Sequence, residues 1–285
     1  MPDHEDKFSF IHFVNSYSIW VALGSFSTFC FYSRIFQVPV DYVVAVSLSL
    51  SVWIIYTLDH LFDGLGKSGE LLSLRHRLHI TNRNKLLFLV VISIFTVLAL
   101  SIYIDRIYYY PITILASLTI LHFLVNYFVP NDLKRKVFLK ELTIAFVVTA
   151  GFCYLPSISL RTSSFSELLL LFSSLFFINL ANLLAFSYYD KDFDRKTNTL
   201  SAASFTSENT MLNLIRTVVI ASAGLNLVGL LIGYYGIINA LVLLAMQLTL
   251  ISLTLNIQYF KRNDRYRFYG DLIYLYPMIA LPFLG

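Results

Sequence analysis

Along this chain, apolar runs of about 20 residues alternate with short polar breaks, the length a helix needs to cross a hydrocarbon core of ~30 Å. The runs lie near Phe13–Ser33, Tyr42–Leu58, Leu86–Ile104, Tyr108–Val129, Leu142–Leu160, Leu168–Ser187, Leu212–Tyr234, Gly236–Gln258 and Leu272–Leu284. They predict an all-α membrane protein of nine transmembrane helices, folded as a single integral membrane domain over residues 1–285. The last run is short and holds Pro277 and Pro282, which neighbouring helices must accommodate. The two longest breaks, 59–85 and 188–211, are predicted loops on the same side.

Basic residues fix the orientation, because Lys and Arg concentrate in cytoplasmic loops. With the N-terminus inside, the inner segments hold 18 of the 21 Lys and Arg, and only Arg34, Arg106 and Arg161 fall outside. The expectation is N-in, C-out, with both long loops at the cytoplasmic face, which in a bacterial source is the face of the cytoplasmic membrane. The start, MPDHEDK, is acidic where a cleaved signal peptide would be basic, so the first span is expected to be retained.

Composition agrees. Hydrophobic residues make up 57% and charged ones 13%, with a mean hydropathy of +0.70, which excludes an ordinary soluble domain. The net charge of +4 comes from bases scattered over short loops and not gathered on one face, so no nucleic-acid partner is expected. Cys30 and Cys153 sit in separate apolar runs without metal-ligand spacing and read as small hydrophobes.

The chemistry is concentrated at two membrane exits. The first long loop opens YTLDHLFDG, with Asp59 and Asp63 four residues apart. The second opens YYDKDFDRK, with Asp190 and Asp194 at the same spacing and Asp192 between them. On a continued helix, residues four apart share a face, and like charges there destabilise it. A cation would offset that repulsion, and oxygen-only ligands favour Mg²⁺ or Mn²⁺, so all five aspartates are candidate metal ligands. Bases follow each string: Arg75, Arg77 and His79 after the first, and Lys191, Arg195 and Lys196 within and after the second. Acids, hard cations and bases together suit a diphosphate.

These features resemble the UbiA superfamily of intramembrane prenyltransferases, whose members have nine transmembrane helices and two aspartate-rich motifs, NDxxDxxxD after the second helix and DxxxD after the sixth. The second motif matches at Asp190 and Asp194, with Asp192 between and Lys196 following. The first matches at Asp59 and Asp63, while Ile55 and Tyr56 stand where Asn and the first Asp would be, and Leu200 occupies the approximate place of a Lys that many members carry. The resemblance implies Mg²⁺-dependent transfer of a prenyl group from a prenyl diphosphate to a lipophilic acceptor, with Asp59, Asp63, Asp190 and Asp194 catalytic and the bases on the diphosphate. Such chemistry needs aromatic faces for a prenyl cation and exclusion of water. The chain holds 25 Phe and 19 Tyr to supply them.

Four polar residues inside the spans are candidates for the acceptor site or cavity: His122 and Asn126 one turn apart in the fourth run, and Asn179 and Asn182 in the sixth. Interhelical hydrogen bonding is the alternative use of such residues. A UbiA-like scaffold or transporter without prenyl transfer, and a prenyl-diphosphate cyclase or lyase on the same fold, are the competing readings. The signature of a CDP-alcohol phosphotransferase fails at Lys67 and Ser68, and six His do not make the boxes of a membrane di-iron oxygenase.

Overall fold

The computed structural model describes residues 14, 16–64, 74–129, 140–160, 165–197 and 201–283. Among these the chain is helical throughout, with no strand. The main helices are α1 (Ile19–Ile35), α2 (Tyr42–Gly64), the short α3 (Leu74–Thr81), α4 (Arg83–Ser101), α5 (Tyr109–Phe128), α6 (Lys140–Thr149), α7 (Phe165–Thr197), α8 (Glu208–Leu231) and α9 (Ile237–Leu255). Past Thr149 the path of α6 continues through a π-helical segment, Ala150–Tyr154, and a last turn, Leu155–Ser157. The C-terminal stretch comprises α10 (Ile257–Lys261), α11 (Arg265–Leu272), a 3₁₀ turn at Ile273–Leu275, α12 (Tyr276–Ala280) and a second 3₁₀ turn at Leu281–Phe283.

Among the described residues, six stretches are long and apolar enough to cross a membrane: Tyr42–Phe62, Arg83–Ser101, Arg106–Asn126, Phe165–Lys196, Glu208–Leu231 and Ile237–Leu255. The described parts of the other three apolar runs are also mostly helical. Of these, α1 has 17 residues, α6 is interrupted by its π segment, and the C-terminal run breaks around Pro277 and Pro282 as their missing N–H groups require.

Local chemistry sets the helix starts. Asp41 Oδ1 accepts from the N–H groups of Val43 and Val44 at the head of α2, and the Ser207 hydroxyl accepts from Thr210 N–H at the head of α8. Glu167 in the first turn of α7, with Arg195 and Lys196 in its last, complement the helix dipole.

Packing makes α7 the central pillar. Of its span, 56% is buried, against 11% for each of the spans at α4 and α5, which present their apolar side chains outward as lipid-facing helices do. Leu171, Leu175, Ile178 and Leu184 on α7 are almost wholly buried, with Ile215 on α8 and Leu243, Met246 and Leu250 on α9 in the same core. A polar thread runs through this contact: Ser174 and Ser222 hydrogen-bond each other, Gln247 donates to Ser222, and Tyr235 donates to Asn226. Inside a membrane such bonds satisfy groups that have no water.

Close approach fixes the C-terminal run against α1. A Cβ on Gly24 would lie 2.5 Å from the Tyr274 Cβ and 3.3 Å from its carbonyl carbon, so only glycine lets the two backbones meet. Gly24→Ala should therefore lower stability by about 1–3 kcal/mol through overpacking. The check is the thermal midpoint in detergent against Gly224→Ala, whose Cβ would meet nothing within 4 Å. Equal midpoints for the two variants would refute the close-packing account.

Candidate functional site

Both acidic strings stand on helices and not in loops, which corrects the expected breaks at 59–85 and 188–211. Helix α2 runs on through Asp59 and Asp63 to Gly64, and α7 runs on through Asp190, Asp192 and Asp194 to Thr197. The segment 74–81 is itself a helix. The like-charge repulsion on α7 is answered by bases: Arg267 Nη2 lies 2.7 Å from Asp190 Oδ2, and Lys261 Nζ lies 3.0 Å from Asp192 Oδ2. The side chain of Asp63 lies outside the described residues.

Asp190 is the anchor of a polar cluster at the end of the bundle that carries both strings. Its Oδ1 accepts from the Tyr266 hydroxyl, its Oδ2 from Arg267, and Arg267 Nε donates to the Tyr266 oxygen at 3.1 Å. Tyr266 is held by stacking on Tyr189, with ring centroids 4.5 Å apart and planes within 12°. Tyr189 in turn donates to the Leu253 carbonyl at 2.6 Å, tying α7 to α9.

The second part of the cluster comes from α3. Arg75 and His79, one turn apart, turn into the bundle, while Arg77 faces outward and is exposed. Arg75 donates to the Ser16 carbonyl and the Ser18 hydroxyl, and its Nη2 stands 3.8 Å from Asp271 Oδ2. Burial first, and then the charge of Arg267, push the Arg75 pKa down, while Asp271, Tyr56 and Asp190 push it up. That mutual influence places the two arginines in one electrostatic neighbourhood with Asp190 and Asp271. His79 contacts the Arg75 carbonyl through Nδ1 at 2.9 Å; a carbonyl only accepts, so Nδ1 carries the proton. Burial pushes its pKa down to about 4, so His79 is neutral near neutrality and adds no charge for a phosphate.

The remaining expected site residues divide. Asp59 acts electrostatically on Tyr56, which also feels Asp271 and Arg75. Asp194 is buried on the same face of α7 as Asp190, one turn on. Asp192 turns the other way to exposed Lys261. Lys191 reaches the Thr206 carbonyl at 3.5 Å and Glu208 at 4.0 Å, at the start of α8, and Arg195 and Lys196 are exposed in the last turn of α7. Asn126 and His122 hydrogen-bond each other at 2.8 Å in the last two turns of α5. Asn179 donates to Thr149 and accepts from Tyr274, and Asn182 donates to the Gly270 carbonyl, so both knit α7 to its neighbours. Asn179 also lines, with Val52, Tyr56, Phe152 and Tyr274, a cavity of about 10 Å³, room for about one water molecule.

Tyr266, Arg267 and Asp271 are the residues that sequence reasoning missed. They sit in RYRFYGD, just ahead of the final apolar run, where a buried acid and a dense Arg/Tyr string were the available signal.

As arranged, no three carboxylate, imidazole or thiol groups converge on one point among the described residues. Mg²⁺, however, is commonly held by one or two carboxylates together with substrate phosphates and water. The oxygen-only pair Asp190 and Asp194 fits that requirement. Asp192, turned away to Lys261, does not.

No family model matches the sequence, and no curated protein does. Among solved structures, the fold is similar to that of an apo UbiA homolog from Aeropyrum pernix K1, with a TM-score of 0.65 and 14% identity over 91% of this chain and 97% of that one. The match covers nearly the whole of both chains, so the chain is built on the fold of a UbiA homolog.

Proposed function

We propose that this protein is an intramembrane prenyltransferase that moves a prenyl group from a prenyl diphosphate to a lipophilic acceptor. The observation that carries the reading is the cluster at the membrane-helix ends, in which Asp190 of α7 pairs with Arg267 of α11, Asp271 of α11 pairs with Arg75 of α3, and Asp194 lies in the field of Asp190 and Arg267. Buried ionisable groups at such a position are costly and mark a working site. The nine-span, N-in and C-out arrangement belongs to this reading and puts the cluster at the cytoplasmic face.

In this mechanism the guanidinium of Arg75 orients the diphosphate by charge-assisted hydrogen bonds. Asp190 and Asp194, with Asp59 and Asp63 of α2, would hold Mg²⁺. When bound, that ion supplies charge stabilisation for the leaving diphosphate. The allylic C–O bond breaks with its electron pair leaving on the diphosphate oxygen. The carbon left behind is attacked by the acceptor, which then loses a proton. Tyr56, Phe152 and Tyr274, around the water-sized cavity below the cluster, are aromatic faces for a developing cation, and a prenyl chain requires that cavity to widen.

The test is a reconstituted assay in lipid, in which purified protein, prenyl diphosphates of several lengths and extracted membrane lipids are followed for diphosphate release. Release that depends on both Mg²⁺ and acceptor is the expected result. Release that needs no acceptor would support the lyase or cyclase alternative. Binding without any release would favour the scaffold.

A further inference from the structure

We propose that Arg267 is a phosphate-binding residue that exchanges Asp190 for the diphosphate when substrate arrives. This inference rests on the reading above only for the identity of the anion. The residue is placed from the C-terminal run, far from both aspartate strings in sequence. It is presented by a seated helix: a Cβ on Gly270 would lie 2.5 Å from both Asn182 Oδ1 and Phe186 Cε1, so α11 lies flat on α7 there.

Three features suit an exchange. First, Arg267 uses Nη2 for Asp190 and Nε for Tyr266, while its Nη1 makes no hydrogen bond among the described residues, and its side chain is 17% exposed. A planar fork with donors to spare, open at one edge, is the geometry that takes a phosphate in two parallel bonds. Second, the neighbouring pair is incompletely satisfied: Asp271 Oδ2, 3.8 Å from Arg75, is buried without a hydrogen bond among the described residues. Buried polar atoms are ordinarily bonded, and this one is an acceptor, so it takes a donor or a cation, such as the cation that accompanies a diphosphate. Third, the partner that Arg267 would release, Asp190, is one of the two carboxylates suited to a divalent cation. A cation on Asp190 and a phosphate on Arg267 would leave each charge with an opposite partner, which neither ligand alone achieves.

The experiment measures inorganic pyrophosphate binding by calorimetry on the full chain in detergent, first without divalent cations and then with Mg²⁺. Arg267→Ala is expected to weaken binding by about tenfold or more, the effect of losing a charge-assisted pair, and Arg267→Lys to weaken it by less. Without divalent cations, Asp190→Asn is expected to tighten binding, because it removes both the competing partner and a like charge. Adding Arg267→Ala to Asp190→Asn should cancel that gain. Arg265→Gln, two residues away, whose guanidinium stacks on Tyr259, is the control and should bind as wild type. Wild-type affinity in both Arg267 variants would overturn the inference while leaving the diphosphate reading intact. Weaker binding in Asp190→Asn without metal would overturn the exchange. No pyrophosphate binding by the wild type under either condition would overturn both.

Discussion

Diphosphate release by the Asp190→Asn protein is expected to fall by about 10²-fold or more, the loss that follows removal of a ligand to a charge-stabilising cation. Asp190 is joined to Arg267 and Tyr266 and, by field, to Arg75. An amide there keeps the size but loses the negative charge, so the cation site and the seat of Arg267 weaken together. Asp194→Asn should follow the same direction. Asp192→Asn should change release little, because that carboxylate is exposed and pairs with Lys261 at the surface. Asp105→Asn is the silent control: it caps a 3₁₀ turn through Ile107 N–H, away from the cluster, and Asn caps as well. The measurement is coupled detection of released diphosphate under saturating Mg²⁺. Wild-type turnover in Asp190→Asn would remove the second motif from the mechanism, and a large loss in Asp192→Asn would show that the α7 end rearranges before reaction.

The largest effect on stability is expected from Asp271→Ala. Arg75 and Asp271 have side chains 10% and 3% exposed, so removing the acid takes a carboxylate counter-charge away from a buried guanidinium. Breaking a buried ion pair from one side costs about 3–5 kcal/mol. At 3.8 Å this pair lacks a direct hydrogen bond, so the loss should lie at the lower end, about 3 kcal/mol. Replacing both partners with apolar residues, Arg75→Met with Asp271→Leu, should recover much of it, since the desolvation of both charges is then avoided. Thermal midpoints in detergent distinguish these outcomes. An unchanged midpoint for Asp271→Ala would mean that Arg75 finds its counter-charge elsewhere.

What the sequence made legible was the apolar architecture, because runs of twenty apolar residues have few other uses. Among the described residues, the chain within each of the nine runs is mostly helical. Helix ends were harder. The apolar-to-polar change at Leu58 and at Ser187 suggested loops, yet backbone hydrogen bonds continue wherever the polar side chains find partners. On α7 those partners, Arg267 and Lys261, are 77 and 69 residues away in sequence. The same distance hid half of the candidate site. Asp190, Asp194, Arg75 and His79 could be picked out from spacing at the membrane exits, but periodicity alone does not say that Arg75 turns inward and Arg77 outward. Tyr266, Arg267 and Asp271 become meaningful only once α11 is laid on α7 at Gly270. Asn179 and Asn182 were visible as intramembrane polar residues, and their hydrogen bonds to Thr149, Tyr274 and Gly270 place them among the contacts that position α11 and α6.

The π segment at Ala150–Tyr154 gives the chain length of α6 a meaning of its own. A π turn holds one residue more than the α-helical turn it replaces, and each residue rotates an α-helix by about 100°. Thr149, before the segment, holds Asn179, while Phe152 within it stands edge-on to Tyr274 at 5.8 Å and Leu155 beyond it is buried in the cluster around Phe29 and Val44. The extra residue sets the phase between these contacts. Dropping any one residue between Thr149 and Leu155 would turn Leu155–Ser157 by about a quarter of the helix circumference relative to Thr149. The number of residues in this stretch is thus as much a part of the fold as their hydrophobicity.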